Sequence, residues 1–350
     1  MDFSFSQQQA EFRDAVRRFL VVEAAPEQLR EYWETPNGRS EEMRGKITGQ
    51  GITALSVPET YGGLGQDDVD WVRILEEAGY HGIPDSLADA AYVAVGLLNA
   101  LPEGHPLAAE WLPRMVEGQA RIAVGHPVNP LLHDGEIADH LLLWHEDAIH
   151  ALAPSQAALT LNASIDQSRR LYGVQWQPDA NSEVCDAATG AAIWRECLNR
   201  GALATAAQLL GLARCMLDLG VDYAAQRKQF GKPIGSFQAV KHHLADVAVK
   251  IEFAAPVVHR AAWSLANGHP RVDVHVSHAK LAASEAALAA ARKSLQVHGA
   301  MGYTWEADLQ MFMKRAWALE AYWGDRGFHK QRIATAVLAD GAPLGPGNTF

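Results

Sequence analysis

The sequence predicts a mostly α-helical protein that contains a small β module, and three changes of texture along the chain indicate this. Residues 1–118 show apolar residues at helical spacing, and residues 119–193 show short apolar runs divided by turn residues. From residue 194 onwards, long and uninterrupted helical patterns return. We therefore predict an N-terminal helical domain (1–118), a small β domain (119–193) and a C-terminal four-helix bundle (194–350).

The helices of the first region are indicated by apolar residues that recur on one face. Breaker clusters at Pro58–Gly65 and Pro102–Gly104 separate the helices. The predicted buried faces contain Phe12, Val16 and Leu20, then Trp71, Leu75 and Ala78, then Val93, Leu97 and Leu98.

The middle region is expected to form mostly antiparallel strands. Three short apolar runs, Arg121–Val124, Asp139–Trp144 and Ala158–Leu161, have the length of strands. Asp134-Gly135 and Thr189-Gly190 are typical of turns and are predicted to separate strands.

The last region has the pattern of a helical bundle. One helix is predicted to end at Gly268 and Pro270, and the next carries Leu281, Leu288 and Leu295 at heptad spacing, with Gly299 as its C-cap. The first of these helices has a continuous seam made by Val240, Leu244, Val247, Ile251, Ala254, Val258, Ala261 and Leu265.

Composition excludes several classes of function. The chain has 350 residues, 48% of them hydrophobic, a formal net charge of −11 and no basic run, so nucleic acid is not an expected partner. Cys185, Cys197 and Cys215 have neither metal nor disulfide spacing. No secretory signal, membrane-spanning stretch, P-loop, G-x-G-x-x-G or G-x-S-x-G motif is visible. We expect a soluble cytoplasmic protein.

The histidines do not predict a metal site. His242 and His243 are adjacent on a helix and therefore point to different faces. His275 and His278 have i,i+3 spacing, but no carboxylate or further histidine follows in register. We expect no bound metal.

The segment from Arg227 to Val240 is the strongest candidate for a binding site. It joins two long helices, yet it carries two cations, two aromatic residues, two glutamines and two glycines. Arginine forks bind phosphate oxygens, and glycines allow the backbone to approach a ligand closely. The alternative is structural: Arg227 caps a helix C-terminus and Phe230 packs in the core.

Four segments, taken in order, resemble signatures of the acyl-CoA dehydrogenase superfamily, and the resemblance extends over nearly the whole chain. The chain resembles the short members of the family, including those that act in paired subunits on steroid side-chain CoA thioesters. The four segments are Asp2–Ser6, Pro58–Gly65, Arg227–Val240 and Gln296–Tyr303.

The resemblance implies that FAD binds at a subunit interface. Arg227 would pair with the pyrophosphate, and Gln229 and Phe230 would flank it, with Gln238 in the same segment. The neighbouring subunit would reach the same FAD through Gln296, Gly299 and Ala300, although Gly299 is also explained as a helix cap.

The resemblance also implies α,β-dehydrogenation of an acyl-CoA by a glutamate base, but both family positions for that glutamate are changed. The first position is Trp323 and the second is Gly201. Asp325 is a weak substitute, and Arg326 beside it suggests a simple ion pair. Glu320 and Glu196 are the other nearby acids, each expected to be an ordinary surface or helix-end carboxylate.

A second departure concerns the β module. Relatives carry a Thr-Glu-Pro-type loop followed by Gly-Ser that contacts flavin and substrate. The corresponding stretch here is Gly125–Pro130, in which only a proline remains, so the usual hydroxyl contacts to the flavin are not expected.

The resulting hypothesis is one subunit of a heteromeric (α2β2-like) flavoenzyme whose partner supplies the catalytic base. The substrate would be a bulky acyl-CoA, with a steroid side chain as one candidate, and electron-transfer flavoprotein would be the acceptor. Two alternatives remain open. The chain is a non-catalytic structural paralogue that binds no flavin alone, or it is a homo-oligomeric dehydrogenase that uses Asp325 or Glu196 as base.

Overall fold

The computed structural model describes residues 5–36, 38–343 and 345, so Asp2–Ser4 of the first resembling segment lies outside the described residues. The predicted mostly helical fold with a small β module is confirmed. The helices are α1 (Gln7–Glu23), α2 (Pro26–Glu34), α3 (Glu41–Gly49), α4 (Asp68–Tyr80), α5 (Ala94–Asn99), α6 (Pro106–Val116), α7 (Ala187–Gln226), α8 (Gln238–Ala266), α9 (Val272–His298), α10 (Leu309–Ala321) and α11 (Arg326–Val337).

The strands form two small sheets and one hairpin. In the first sheet the order is β1-β3-β4-β7, with β1 parallel to β3 and the other pairs antiparallel; the second has the antiparallel order β2-β6-β5. The predicted antiparallel character is therefore confirmed, with one parallel pair added. The strands are β1 (Ile122–Gly125), β2 (Leu132–His133), β3 (His140–His145), β4 (Ala148–Leu152), β5 (Ala158–Asn162), β6 (Leu171–Gln175), β7 (Glu183–Cys185), β8 (Lys228–Gln229) and β9 (Lys232–Pro233).

The prediction of a turn at Thr189-Gly190 is wrong, because both residues lie in the first turn of α7. The side chain of Asp186 accepts a hydrogen bond from the Thr189 backbone N–H at 2.9 Å, which is an N-cap interaction. Gly190 is needed for a different reason than a turn: a Cβ there would lie 2.1 Å from the carbonyl oxygen of Asp147.

Contacts divide the chain into two compact units. The bundle unit comprises Met1–Pro26, Val72–Ile83 and Ala202–Phe350, and the mixed unit comprises Glu27–Trp71 and Pro84–Gly201. The N-terminal helix and the second half of α4 thus join the bundle. The boundaries drawn from the sequence at residues 118 and 193 remain a prediction.

The core of the bundle unit follows the predicted seam of α8 but not the leucine heptad of α9. Leu244, Val247 and Val258 of α8 are buried as expected. In α9, Leu281, Leu288 and Leu295 are only partly buried. The buried face of α9 consists mainly of small residues, which allow neighbouring helices to approach closely: Ala279, Ala283, Ser284, Ala286, Ala287, Ala290, Ala291 and Ser294.

The closest approach in the bundle unit is between α4 and α7. A Cβ at Gly211 would lie 1.9 Å from the carbonyl oxygen of Glu76, and a Cβ at Gly79 would lie 2.1 Å from that of Gln208. Each glycine therefore makes room for the backbone of the other helix. This crossing sets the position of the α4 side chains relative to α7 and α8.

One helix in the described part of the chain, α7, is long and apolar enough to cross a membrane by length and composition alone. Of its most apolar window, 72% is buried inside the protein, as in a core helix of a soluble protein.

Candidate functional site

The segment predicted to bind the cofactor forms a tight hairpin at the end of α7. Strands β8 and β9 pair antiparallel, and Phe230 and Gly231 make the turn with φ values of 52° and 79°. A phenylalanine in the left-handed region is uncommon. The side chain of Phe230 is 92% exposed, so the alternative that it packs in the core is wrong.

Arg227 lies at the base of this hairpin and is exposed. Its backbone carbonyl accepts a hydrogen bond from Ile234 at 2.8 Å, which closes the hairpin. No described residue pairs with its guanidinium. Gln229 is also exposed, and its side-chain Nε2 donates only to the carbonyl of Lys228, at 2.8 Å. The hairpin therefore presents a cation, an amide and a ring to solvent.

The second predicted segment follows directly at the end of α9. Gln296, Gly299 and Ala300 are all exposed. Gly299 has φ 59° and ψ −136°, a conformation that favours glycine, and its N–H donates to the Leu295 carbonyl, so the predicted C-cap is confirmed. Gln238 is exposed at the first position of α8.

The structure brings these two segments to the same end of the bundle unit. The ring of Tyr223, near the end of α7, stacks on His298 with centroids 4.3 Å apart. Val297 packs in the same small cluster as Ala224, and Ile234 of the hairpin packs against it. This shared end also exposes several large apolar side chains, namely Phe230, Met301, Tyr303 and Trp305.

The first base position is filled by a buried tryptophan. Trp323 is only 1% exposed and has φ 55°. Its carbonyl accepts a hydrogen bond from His329 Nε2 at 2.9 Å, and buried Lys280 donates to the carbonyl of Gly324 at 3.0 Å. Burial, with the charge of Lys280 nearby, lowers the pKa of His329 to about 4 and keeps its imidazole neutral. No motif in the sequence indicates that Lys280 and His329 support this turn.

The acids next to Trp323 have structural partners. Asp325 is the N-cap of α11, and its Oδ1 accepts from the backbone N–H of Phe328 at 2.7 Å. The expected ion pair between Asp325 and Arg326 is wrong, because Arg326 pairs with Glu320 at 2.8 Å. Asp325 and Glu320 are thus a cap and an ion-pair partner.

The second base position, Gly201, is buried in α7 beside a charged network in the mixed unit. Arg200 pairs with Glu196 at 2.8 Å and with buried Asp68 at 2.5 Å, and the Tyr92 hydroxyl donates to the same Asp68 oxygen at 2.5 Å. Burial raises the pKa of Asp68 despite the opposing charge of Arg200. Glu196 is therefore engaged by Arg200. This network joins residues far apart in sequence.

The β-module loop is held by its histidine. His126 is buried, its Nε2 donates to the Trp194 carbonyl at 3.2 Å, and its Nδ1 accepts from the Val128 N–H at 3.1 Å. Both ring nitrogens are thus used within the loop and by α7. Among the described residues no group of three or more metal-ligating side chains occurs.

Comparisons with known proteins agree with this architecture. The family model described as "Acyl-CoA dehydrogenase, N-terminal domain" matches residues 6–119, and that described as "Acyl-CoA dehydrogenase, C-terminal domain" matches residues 188–338. A curated relative, acyl-CoA dehydrogenase IpdE2 from Mycolicibacterium smegmatis, is 32% identical over 314 residues, which cover 89% of this chain and 93% of the relative.

Two solved structures share the fold. One is the ChsE4-ChsE5 complex from Mycobacterium tuberculosis, with a TM-score of 0.85 at 23% identity, covering 98% of this chain and 100% of that one. The other is the Tcur3481-Tcur3483 steroid ACAD G363A variant, with a TM-score of 0.83 at 22% identity, covering 96% of this chain and 99% of that one.

Proposed function

Because this chain belongs to the acyl-CoA dehydrogenase family, we propose that it is one subunit of a heteromeric acyl-CoA dehydrogenase whose partner supplies the catalytic base. The reaction would be α,β-dehydrogenation of an acyl-CoA. One observation carries the proposal: neither base position in this chain holds a titratable group. Trp323 is sealed in the core, and Gly201 has no side chain.

The neighbouring acids do not offer a good replacement. A carboxylate that acts as the general base must reach the α-proton of the substrate and accept it. Asp325 already accepts a backbone hydrogen bond as a cap, and Glu196 and Glu320 are in ion pairs. Each of these three carboxylates is thus already committed to a structural partner.

FAD is the cofactor of this family, and the residues at the shared end of the bundle unit fit half of its site. When bound, FAD accepts the hydride that leaves the β-carbon of the thioester. The fit rests on Arg227, whose exposed guanidinium has no described partner, and on Phe230, whose ring is 92% exposed and has only an edge contact with Phe237, at 6.1 Å between centroids. An aromatic ring exposed to water does not stabilise an isolated subunit, so the exposure of Phe230 indicates a surface that is covered on binding.

Each residue of the shared end has a role in this proposal. Arg227 would bind the diphosphate through its planar fork, and Phe230 would cover a flat part of the cofactor. Gln229 and Gln296 would supply amide donors and acceptors, and Gly299 would leave space for close approach. Gln238 and Ala300 are exposed on the same two segments and complete this group of proposed cofactor contacts.

The finer identity of the enzyme is also proposed. We propose a bulky acyl-CoA thioester as substrate, with a steroid side chain as the first candidate, because a structure of this fold is named a steroid ACAD. The two-chain ChsE4-ChsE5 complex supports an α2β2-like assembly in the same way. Electron-transfer flavoprotein is the proposed acceptor, and the cytoplasm the proposed location.

Replacing Asp325 with asparagine tests the location of the base. Asparagine caps helices about as well as aspartate, so Asp325→Asn removes the carboxylate of Asp325 without removing the cap. We expect turnover of the assembled complex to change by less than about threefold. Steady-state turnover and flavin content of the purified complex are the measurements.

The matched variant Asp325→Ala separates the cap from the chemistry. Losing the cap should lower stability by about 1 kcal/mol while turnover per bound flavin stays near that of the parent. A loss of about a thousandfold in Asp325→Asn, with flavin still bound, would place the base in this chain and contradict the proposal.

A further inference from the structure

A polar cavity in the bundle unit lies apart from every residue assigned to the flavin site. Its volume is about 460 Å³, within the range of small-molecule pockets. Side chains of α1, α4, α7 and α8 line it, and all of them belong to the bundle unit. Four of the lining residues are arginines, contributed by three helices: Arg13, Arg17, Arg73 and Arg214.

Two of these arginines share one buried carboxylate. Glu76 accepts a hydrogen bond from Arg214 at 2.6 Å and from Arg73 at 3.3 Å, and His259 Nε2 lies 2.6 Å from its other oxygen. Burial alone would raise the pKa of Glu76, but the hydrogen bond with His259 and the charges of Arg214 and Arg73 outweigh burial and lower this pKa. Both carboxylate oxygens of Glu76 therefore already have hydrogen-bond partners, and Arg73 and Arg214 each use only one of their five N–H donors for this carboxylate.

The other two arginines lie one turn apart on α1 and are less well paired. Arg13 and Arg17 approach Glu77 at 3.6 Å and 4.0 Å, both too long for hydrogen bonds. Arg13 has a second ion pair, through Nε with Asp14 at 2.8 Å, and half of the Arg17 side chain is exposed. Burial raises the pKa of Glu77 against the opposing charges of Arg17 and Arg13, which weakens it as a counter-ion.

The lining is rich in unused donors rather than in net positive charge. Asp218 accepts from the Tyr80 hydroxyl at 2.8 Å, and Glu252 stands exposed at the rim, so carboxylates match the arginines in number. The guanidinium groups of Arg73 and Arg214 each use one N–H donor for Glu76, and those of Arg13 and Arg17 make no hydrogen bond to Glu77, so most of their donors remain available to a ligand. Leu217 and Ile251 add apolar wall on the α7 and α8 sides.

We propose that this cavity binds a small organic phosphomonoester, with Arg13 and Arg17 on one side of the phosphate and Arg73 and Arg214 on the other. A phosphate has three terminal oxygens and accepts from several guanidinium forks at once, whereas Glu77 accepts from neither arginine of α1. The ring of Tyr80 and the apolar wall would contact the organic part. This site is independent of the proposed flavin site.

Isothermal titration of the purified full-length chain with phenyl phosphate tests the proposal, with phenol and benzoate as matched probes. Phenyl phosphate avoids the adenosine group, which the flavin site would recognise. We expect phenyl phosphate to bind, phenol not to bind, and Arg13→Gln/Arg17→Gln to weaken binding by about tenfold or more. Arg18→Gln, which removes an exposed cation of the same helix outside the cavity, should leave the affinity unchanged.

Several results would overturn the assignment. Phenyl phosphate that fails to bind at millimolar concentration, or binds equally well to the double variant, would show that the arginines form only a structural ion-pair network. An equal loss in Arg18→Gln would reveal a general charge effect. Benzoate that binds as tightly as phenyl phosphate would exclude selection for phosphate. Circular dichroism of each variant establishes that the fold is intact.

Discussion

Arg227→Ala is expected to leave the assembled complex without most of its flavin. The guanidinium is exposed, has no described partner and lies at the base of a hairpin that presents Phe230 to solvent. A charge-assisted, bidentate contact to a diphosphate contributes about 1.5–3 kcal/mol, so its loss should weaken FAD binding by about ten- to a hundredfold. Flavin absorbance per mole of complex after gel filtration measures the effect.

Two controls make this result specific. Arg18→Ala removes an exposed arginine from α1, remote in sequence from the hairpin, and should retain flavin fully. Arg227→Lys keeps the charge but not the planar fork, and should retain an intermediate amount. Unchanged flavin occupancy in Arg227→Ala would rule out the diphosphate role and leave Arg227 as a surface residue.

Gly211→Ala is expected to prevent folding of the bundle unit. The added Cβ would lie 1.9 Å from the Glu76 carbonyl oxygen and 2.7 Å from the Tyr80 backbone nitrogen. Both atoms belong to the α4 backbone, so no side chain can move aside. We expect a loss of about 3 kcal/mol or more, a large part of the stability of a typical domain, and little folded protein. Urea unfolding and the soluble yield measure it.

Gly45→Ala is the matched control, since it also places alanine for glycine within a helix. Gly45 is exposed in α3 and nothing lies within 4 Å of the Cβ it would gain. Its replacement should raise the free energy of unfolding by about 0.5–1 kcal/mol. If both variants unfold alike, the α4–α7 crossing is looser than the distances indicate.

Apolar spacing predicted the helices well where large residues make the contacts, and failed where small ones do. The α8 seam could be predicted because Val247, Ile251 and Val258 repeat on one face. The heptad that contains Leu288 predicts the wrong buried face of α9. The face that is buried consists mainly of alanine and serine, which pack closely without a strong hydrophobic pattern. Thr189-Gly190 is a dipeptide typical of turns, but Asp186, three residues before Thr189, is a recognisable N-cap that indicates the start of a helix.

Some features of the candidate site could be predicted from the sequence, and others depend on the fold. Arg227 and Gln296 are proposed from the sequence alone, and the changes at both family positions for the base are visible there, because each of these is a property of a single position. The support of Trp323 by Lys280 and His329 could not be predicted, since nothing in an alanine-rich helix distinguishes a buried lysine from a solvated one. The four arginines of the polar cavity come from three helices that are distant in sequence, so only the fold reveals that they lie together.

The central claim is that this chain forms half of a flavin site. The most direct test is to measure the flavin content of the chain expressed alone and expressed together with its genomic neighbour. We predict a colourless chain when it is produced alone, and a yellow complex that contains FAD when both chains are co-expressed and purified together. A chain that is yellow and active alone would contradict the claim and favour a homo-oligomeric enzyme. A co-purified complex that stays colourless would contradict it as well, and would make the chain a structural subunit.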